Sequence, residues 1–149
     1  MGHSYYLNTY HIIFATKTRE ASLNNELQLR LYPYMSALIN QQFGFTRILN
    51  GTDNHIHILC DIPPKHAISN ILRQLKSETT KWVNREKIIA CKFSWQEGFS
   101  CFSVSRSQID AVYKYIEHQK EHHKHITFQE EYQLFLQRCS ISCFDDEFE

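Results

Sequence analysis

Glycine and proline are scarce in this chain, with four and three residues among 149. No Pro/Gly-rich linker, internal repeat or low-complexity tract divides it, so residues 1–149 are read as one domain. No run of about 18 apolar residues occurs, which excludes a predicted membrane helix. The opening Met1-Gly2-His3-Ser4-Tyr5 lacks the charged start and apolar core of a secretory signal. The five cysteines (Cys60, Cys91, Cys101, Cys139 and Cys143) are odd in number and form no CxxC pair. Reduced thiols and a cytoplasmic location are therefore expected. Cys139 and Cys143 lack the tighter paired spacing usual in structural zinc sites. The absence of HExxH argues against a metalloprotease, and no Gly-aromatic-Gly/Ala-Phe strand marks an RNA-recognition motif.

An excess of charge is missing too: 16 basic and 16 acidic residues leave a formal net charge of zero. The distribution is uneven, however. Between Lys65 and Lys92 seven cations face only Glu78 and Glu86, whereas Glu130 to Glu149 holds Arg138 against six acids. A basic middle attracts phosphates while an acidic tail, about residues 140–149, balances the total. Charge alone is equally served by a solvated helix face and a disordered end.

What is present reads as alternating strands and helices. Leu7 to Thr16 is rich in Tyr, Ile, Phe and Thr and predicts a strand. Asn24 to Gln42 carries Leu27, Leu31, Met35, Leu38 and Ile39 at helical spacing, with Pro33 marking an expected kink. Phe43 to Leu49 and His55 to Ile62 predict two strands around the turn-rich Asn50-Gly51-Thr52-Asp53-Asn54. A helix over Ile68 to Val83 and a strand over Phe99 to Ser105 follow. A third helix is predicted from about Gln108 to His123, and a last one over Phe128 to Gln137, with Thr127 and Glu130 as a capping box. The order β-α-β-β-α-β and then two helices predicts an α+β fold. It is a ferredoxin-like (RRM-like) antiparallel sheet with two helices on one face and a C-terminal tyrosine-bearing helix. That fold hosts many functions, so the chemistry must come from sites.

The segment Asp53-Asn54-His55-Ile56-His57-Ile58-Leu59 is the most informative. Side chains alternate along a strand, so His55 and His57 share one face while Ile56 and Ile58 point into a core. Two neutral imidazoles on one face can bind a divalent cation, although a lone HxH more plainly reads as two half-exposed strand histidines. On the predicted third helix, Tyr115 and Gln119 are four apart and therefore neighbours. The Gln119 amide oxygen is a hard ligand, and Tyr115 would stand one turn away with its hydroxyl in reach of a phosphate. Core packing is the plainer role for a helix tyrosine, and is the one expected of Tyr113. A phenol is a weak nucleophile at its ordinary pKa near 10, so a cation that draws charge from the phosphate would matter. Tyrosine attack conserves the bond energy in a phosphotyrosine link and permits rejoining without ATP.

These stretches resemble the HUH endonuclease superfamily, specifically the single-tyrosine transposases of small bacterial insertion sequences and their REP-associated relatives. The resemblance rests on Tyr10 to Arg19, on Asp53-Asn54-His55-Ile56-His57, on Leu75-Lys76-Ser77 within Ile68 to Val83, and on Trp95-Gln96-Glu97-Gly98-Phe99. It continues through Phe102 to Ser105 into Tyr115-Ile116-Glu117-His118-Gln119 and His122-His123, and it covers about residues 5 to 137. It implies that His55, His57 and Gln119 hold Mg²⁺ or Mn²⁺ and that Tyr115 attacks single-stranded DNA and keeps the 5′ phosphate. It further implies hairpin substrates at element ends, and homodimers in which the tyrosine helix can serve the partner's histidines. Lys65, Arg73, Lys76 and Lys81 are candidate phosphate contacts, Trp95 or Phe99 a stacking platform, and Trp82 a core residue. His118 and His122, four apart, are either a two-histidine face or a solvated helix end.

Two rival readings stay open: a catalytically inactive or domesticated hairpin nucleic-acid-binding protein, and a metal-dependent hydrolase that uses water. The first would bind without a covalent product; the second would cut without trapping protein on DNA.

Overall fold

The computed structural model describes residues 2–17 and 23–138. The acidic tail, about residues 140–149, together with Cys139 and Cys143, lies outside the described residues. Strands β1 (Thr9–Ala15), β2 (Phe45–Gly51), β3 (His55–Asp61) and β4 (Ser100–Ser103) form one antiparallel sheet in the order β2-β3-β1-β4. With α1 (Asn25–Gln42) after β1 and α2 (Ile68–Glu86) after β3, this is the expected ferredoxin-like arrangement.

The residues explain the elements. Asn24 accepts a hydrogen bond from the Leu27 amide at 2.8 Å and caps α1. That helix continues through Pro33, which costs it one backbone hydrogen bond. In β1 and β3 alternate residues (Ile12, Phe14, Ile56, Ile58, Cys60) meet Leu27, Leu31 and Met35 of α1 and Ile71, Leu72 and Leu75 of α2 in the main core. The β2–β3 connection is tight: a Cβ added at Gly51 would stand 2.2 Å from the His55 carbonyl oxygen, so only glycine allows this approach.

The second face of the sheet is also covered. A 3-10 turn (Arg106–Gln108) leads into α3 (Ile109–Glu117), α4 (Gln119–His122) and α5 (Phe128–Arg138). Leu59 of β3 packs with Val104, Ile109 and Ile116, and Ile13 of β1 packs with Phe102 and Leu136. The single helix expected from Gln108 to His123 is interrupted at His118, whose backbone leaves the helical region. The capping box of α5 forms in part, with the Glu130 amide donating to Thr127 Oγ1 at 3.2 Å. Covered on both sides, His55 through Cys60 are all buried. A polar side chain there needs a partner.

Candidate active site

His55 and His57 project from β3 to the side opposite the main core, as the strand period requires, and both are wholly buried. His11 of β1 shares that face and lies 2.8 Å from His57, Nε2 to Nδ1, with the rings stacked at 5.0 Å. α3 brings Tyr115 against this wall, its ring 5.8 Å from His57 and 6.3 Å from His11. Gln119 opens α4 and is fully buried beside them. The four residues expected at the site thus lie together in the structure.

A fifth group occupies their centre. Glu131 of α5, 2 % exposed, accepts hydrogen bonds from His57 Nε2 and His123 Nε2, each at 2.9 Å, and from the Tyr115 hydroxyl. The Gln119 amide nitrogen lies 3.4 Å from the same carboxylate. One ligand atom from each of His55, His57, His123 and Glu131 falls within 4.8 Å of the others, a spacing compatible with a shared cation.

Proton placement follows from these contacts. The Asn54 amide oxygen, 2.7 Å from His55 Nδ1, can only accept, so Nδ1 carries the hydrogen and Nε2 keeps a bare lone pair. That Nε2 is buried and has no hydrogen-bond partner among the described residues; the same holds for the Gln119 amide oxygen. Two orphaned acceptors in a closed pocket are costly unless a cation shares them. This donor set fits a divalent ion. Burial, with the neighbouring His57, pushes the His11 pKa down to about 3. Burial also brings His55 down to about 4 and lowers His57, so all three rings are neutral at pH 7, as ligation demands. Burial raises the Tyr115 pKa, and the Glu131 carboxylate raises it further, which keeps the phenol protonated. Burial alone would raise Glu131, but the hydrogen bonds from His123 and His57 outweigh it and hold the carboxyl ionised.

Other expected site residues fall elsewhere. Lys65, Arg73 and Lys81 are exposed. Arg73 and Lys81, with Ser77, Gln96 and Phe99, line a cleft of about 550 Å³ between α2 and the segment before β4. Lys76 shares that cleft, but its ammonium donates to the carbonyls of Gln96 at 3.0 Å and Gly98 at 2.5 Å. It lies 5.0 Å from the centre of the Phe14 ring, and burial lowers its pKa to about 8, so it braces the loop. The Trp95 indole is buried between Phe14 and Phe93 and donates to Thr79 Oγ1 at 2.8 Å, which leaves no open face for a base. Phe99, half-buried on the cleft, keeps the stacking role available. Trp82 stacks on Tyr34 at the margin of the core. Tyr113, expected to pack, is exposed. His118 is exposed and bonds the Lys114 carbonyl of its own helix; His123 turns to Glu131 instead, and His122 Nε2 stands 3.3 Å from the same carboxylate oxygen.

A family model described as "Transposase IS200 like" matches residues 4–119, from before β1 to Gln119. The chain belongs to the IS200-like transposases. It is 27 % identical over 132 residues to the transposase for insertion sequence element IS200 of Salmonella typhimurium, covering 83 % of this chain and 84 % of that one. The Salmonella typhi IS200 transposase matches to the same extent. Among solved structures, a Deinococcus radiodurans protein described as a transposase superposes with a TM-score of 0.63 at 22 % identity, over 80 % of this chain and 96 % of that one. A REP-associated tyrosine transposase bound to a REP hairpin superposes with a TM-score of 0.62 at 14 % identity, over 85 % and 75 % of the two chains. At those identities the likeness establishes the fold. Among the described residues of this transposase no helix is long and apolar enough to cross a membrane.

Sequence reasoning passed over three residues of this transposase site. His11 stands in an apolar strand at a position that the register sets beside Leu59 of the histidine strand. Glu131 was counted only with the acidic end. Yet it falls in the stripe Phe128, Glu131, Tyr132, Phe135 at helical spacing, and a carboxylate inside an apolar stripe is a signal. His123 belonged to a cluster whose expected pair was His118 with His122.

Proposed function

We propose that this transposase cleaves and rejoins single-stranded DNA through a 5′-phosphotyrosine link at Tyr115, acting on hairpins at the ends of a mobile element. The observation that carries the reading is the set of bare acceptors, His55 Nε2 and Gln119 Oε1, beside the Tyr115 hydroxyl in a pocket walled by rings. His55, His57 and the Gln119 amide oxygen would hold Mg²⁺ or Mn²⁺, which when bound draws charge from the scissile phosphate and steadies the in-line transition state.

The chain's own groups do the rest. Tyr115 Oη forms the bond to phosphorus as the bond to the 3′ oxygen breaks. The phenolic proton leaves along the hydrogen bond already made to Glu131 Oε2, and a proton ends on the freed 3′ hydroxyl. Because the phenol is held protonated, attack has to be coupled to that transfer. Rejoining is the reverse, with an incoming 3′ hydroxyl displacing Tyr115. Exposed Lys65, Arg73 and Lys81 supply phosphate contacts for the hairpin. The cleft lies on the α2 side of the sheet and the histidines on the other, so a strand reaching both passes around the β4 edge. A homodimer and a cytoplasmic location belong to the same reading.

Covalent trapping tests it. Protein is mixed with labelled single-stranded hairpins from its flanking DNA and Mn²⁺, then run on a denaturing gel. A shifted band that needs both metal and Tyr115 is expected. Tyr115→Phe should abolish the band and leave hairpin binding nearly intact. Metal-dependent cleavage that survives this change, without an adduct, would mean that water is the nucleophile. Binding with neither adduct nor cleavage in the unaltered protein would favour a domesticated hairpin binder.

A further inference from the structure

We infer that Glu131, donated by α5 from outside the segment matched by the family model, is a fourth and anionic ligand to the divalent ion at His55, His57 and Gln119. This rests on the metal reading above and extends it.

Three observations converge. Glu131 Oε1 lies 3.6 Å from His55 Nε2, the nitrogen whose proton is excluded by Asn54 on the far side of the ring. Two lone pairs then face each other in a buried pocket with no hydrogen between them, an arrangement that a cation relieves. The same oxygen is 2.9 Å from His57 Nε2, so one carboxylate oxygen addresses both strand histidines. The Gln119 amide, whose oxygen is orphaned, sits 3.4 Å from the other carboxylate oxygen through its nitrogen.

Charge gives the reason. His55, His57 and Gln119 are neutral donors, and Phe128 stacked on His55 at 4.2 Å helps to keep water from the pocket. A dication held there by neutral ligands alone would be poorly compensated, and a carboxylate suits the hard ions Mg²⁺ and Mn²⁺. Ligation by His57 Nε2 requires its hydrogen on Nδ1, donating to His11 Nε2 at 2.8 Å, with the His11 hydrogen on that ring's own Nδ1. Oε2 stays directed at Tyr115 and His123, so one side chain ties the nucleophile to the metal.

The test is Mn²⁺ binding to the full metal-free chain, by titration calorimetry and by the fall of the free Mn²⁺ paramagnetic resonance signal. Glu131→Gln should bind Mn²⁺ at least tenfold more weakly, and His57→Ala should lose binding. Equal or tighter binding by Glu131→Gln, with His57→Ala still deficient, overturns the inference and leaves the histidine site standing. Unchanged binding in both variants overturns the histidine site as well. Should Glu131→Gln fail to fold, the unaltered protein labelled with ¹³C-glutamate and loaded with Mn²⁺ decides. A carboxylate ¹³C coupling to the ion is expected in electron–nuclear double resonance, and its absence refutes ligation.

Discussion

Acidification should unfold this protein early, and the buried histidines set where. His11, His55 and His57 have folded-state pKa values held below 6.5, at about 3 for His11 and about 4 for His55. The unfolded chain therefore takes up protons at these rings before the folded one does. Stability is fully present above pH 6.5 and is lost as pH falls from 6.5 toward the folded values. One unit below 6.5, a ring whose folded value lies well under 5.5 contributes a loss of about 1.4 kcal/mol, so His11 and His55 together remove about 3 kcal/mol between pH 7.5 and 5.5, and His57, lowered likewise, adds to it. Against a typical total of about 5–15 kcal/mol that is a large share, and for a chain of this size it lowers Tm by roughly 10 °C. Glu131 adds a separate loss below pH 4.5, because its folded value is depressed and its ionised form is the stabilising one. The assay is urea unfolding across pH 7.5 to 4 in the presence of a chelator. A free energy of unfolding that changes by less than about 1 kcal/mol between pH 7.5 and 5.5 would show that the histidines are not buried neutral, and the account of the site would fall with it.

Two further outcomes follow from single contacts. Asn54→Ala leaves His55 Nδ1 only the Thr52 hydroxyl, which can donate as well as accept, and should weaken Mn²⁺ binding by about 10- to 100-fold while leaving the fold intact by circular dichroism; unchanged affinity would free His55 of that control. Replacing Arg73 and Lys81 together by Gln should reduce the slope of log affinity against log salt for a single-stranded hairpin by about 1.4, and an unchanged slope would take the α2 cleft out of the DNA path.

Much of this was legible in the sequence because the signals are local. The period of two in β3 sorts His55 and His57 from Ile56 and Ile58 without any knowledge of partners. Thr127 announces a helix start through a side-chain oxygen close in sequence. Tyr115 and Gln119 are one turn apart, and the relation survives the break at His118 because Gln119 still bonds the Tyr115 carbonyl at 3.4 Å. What failed depends on contacts distant along the chain. Trp95 reads as a stacking platform until Thr79, Phe14 and Phe93 close around it. Lys76 reads as a phosphate contact until the loop carbonyls of Gln96 and Gly98 claim its ammonium. Tyr113 reads as packing until the turn of α3 leaves it in solvent.

Glu131 shows why a charge count over a segment misleads. Grouped with the acidic residues that follow, it looks like solvated ballast that balances the basic middle. Taken with its helical neighbours, it is a carboxylate in an apolar stripe, and such a group survives burial only when donors or cations surround it. The fold provides those surroundings from three elements and the turn after them: β3 through His57, α3 through Tyr115, α4 through Gln119, and His123 just beyond α4. The segment matched by the family model ends at Gln119, so it contains the proposed nucleophile and neutral ligands but not the Glu131 carboxylate. On the proposed metal reading, a divalent ion at neutral ligands alone would bind weakly and leave, whereas one neutralised by α5 would stay and hold the Tyr115 helix in register with the histidines. Docking of α5 thereby becomes part of the site's chemistry, and loosening it, for instance by removing Phe135 from between His11 and Tyr115, should act on metal affinity before it acts on the sheet.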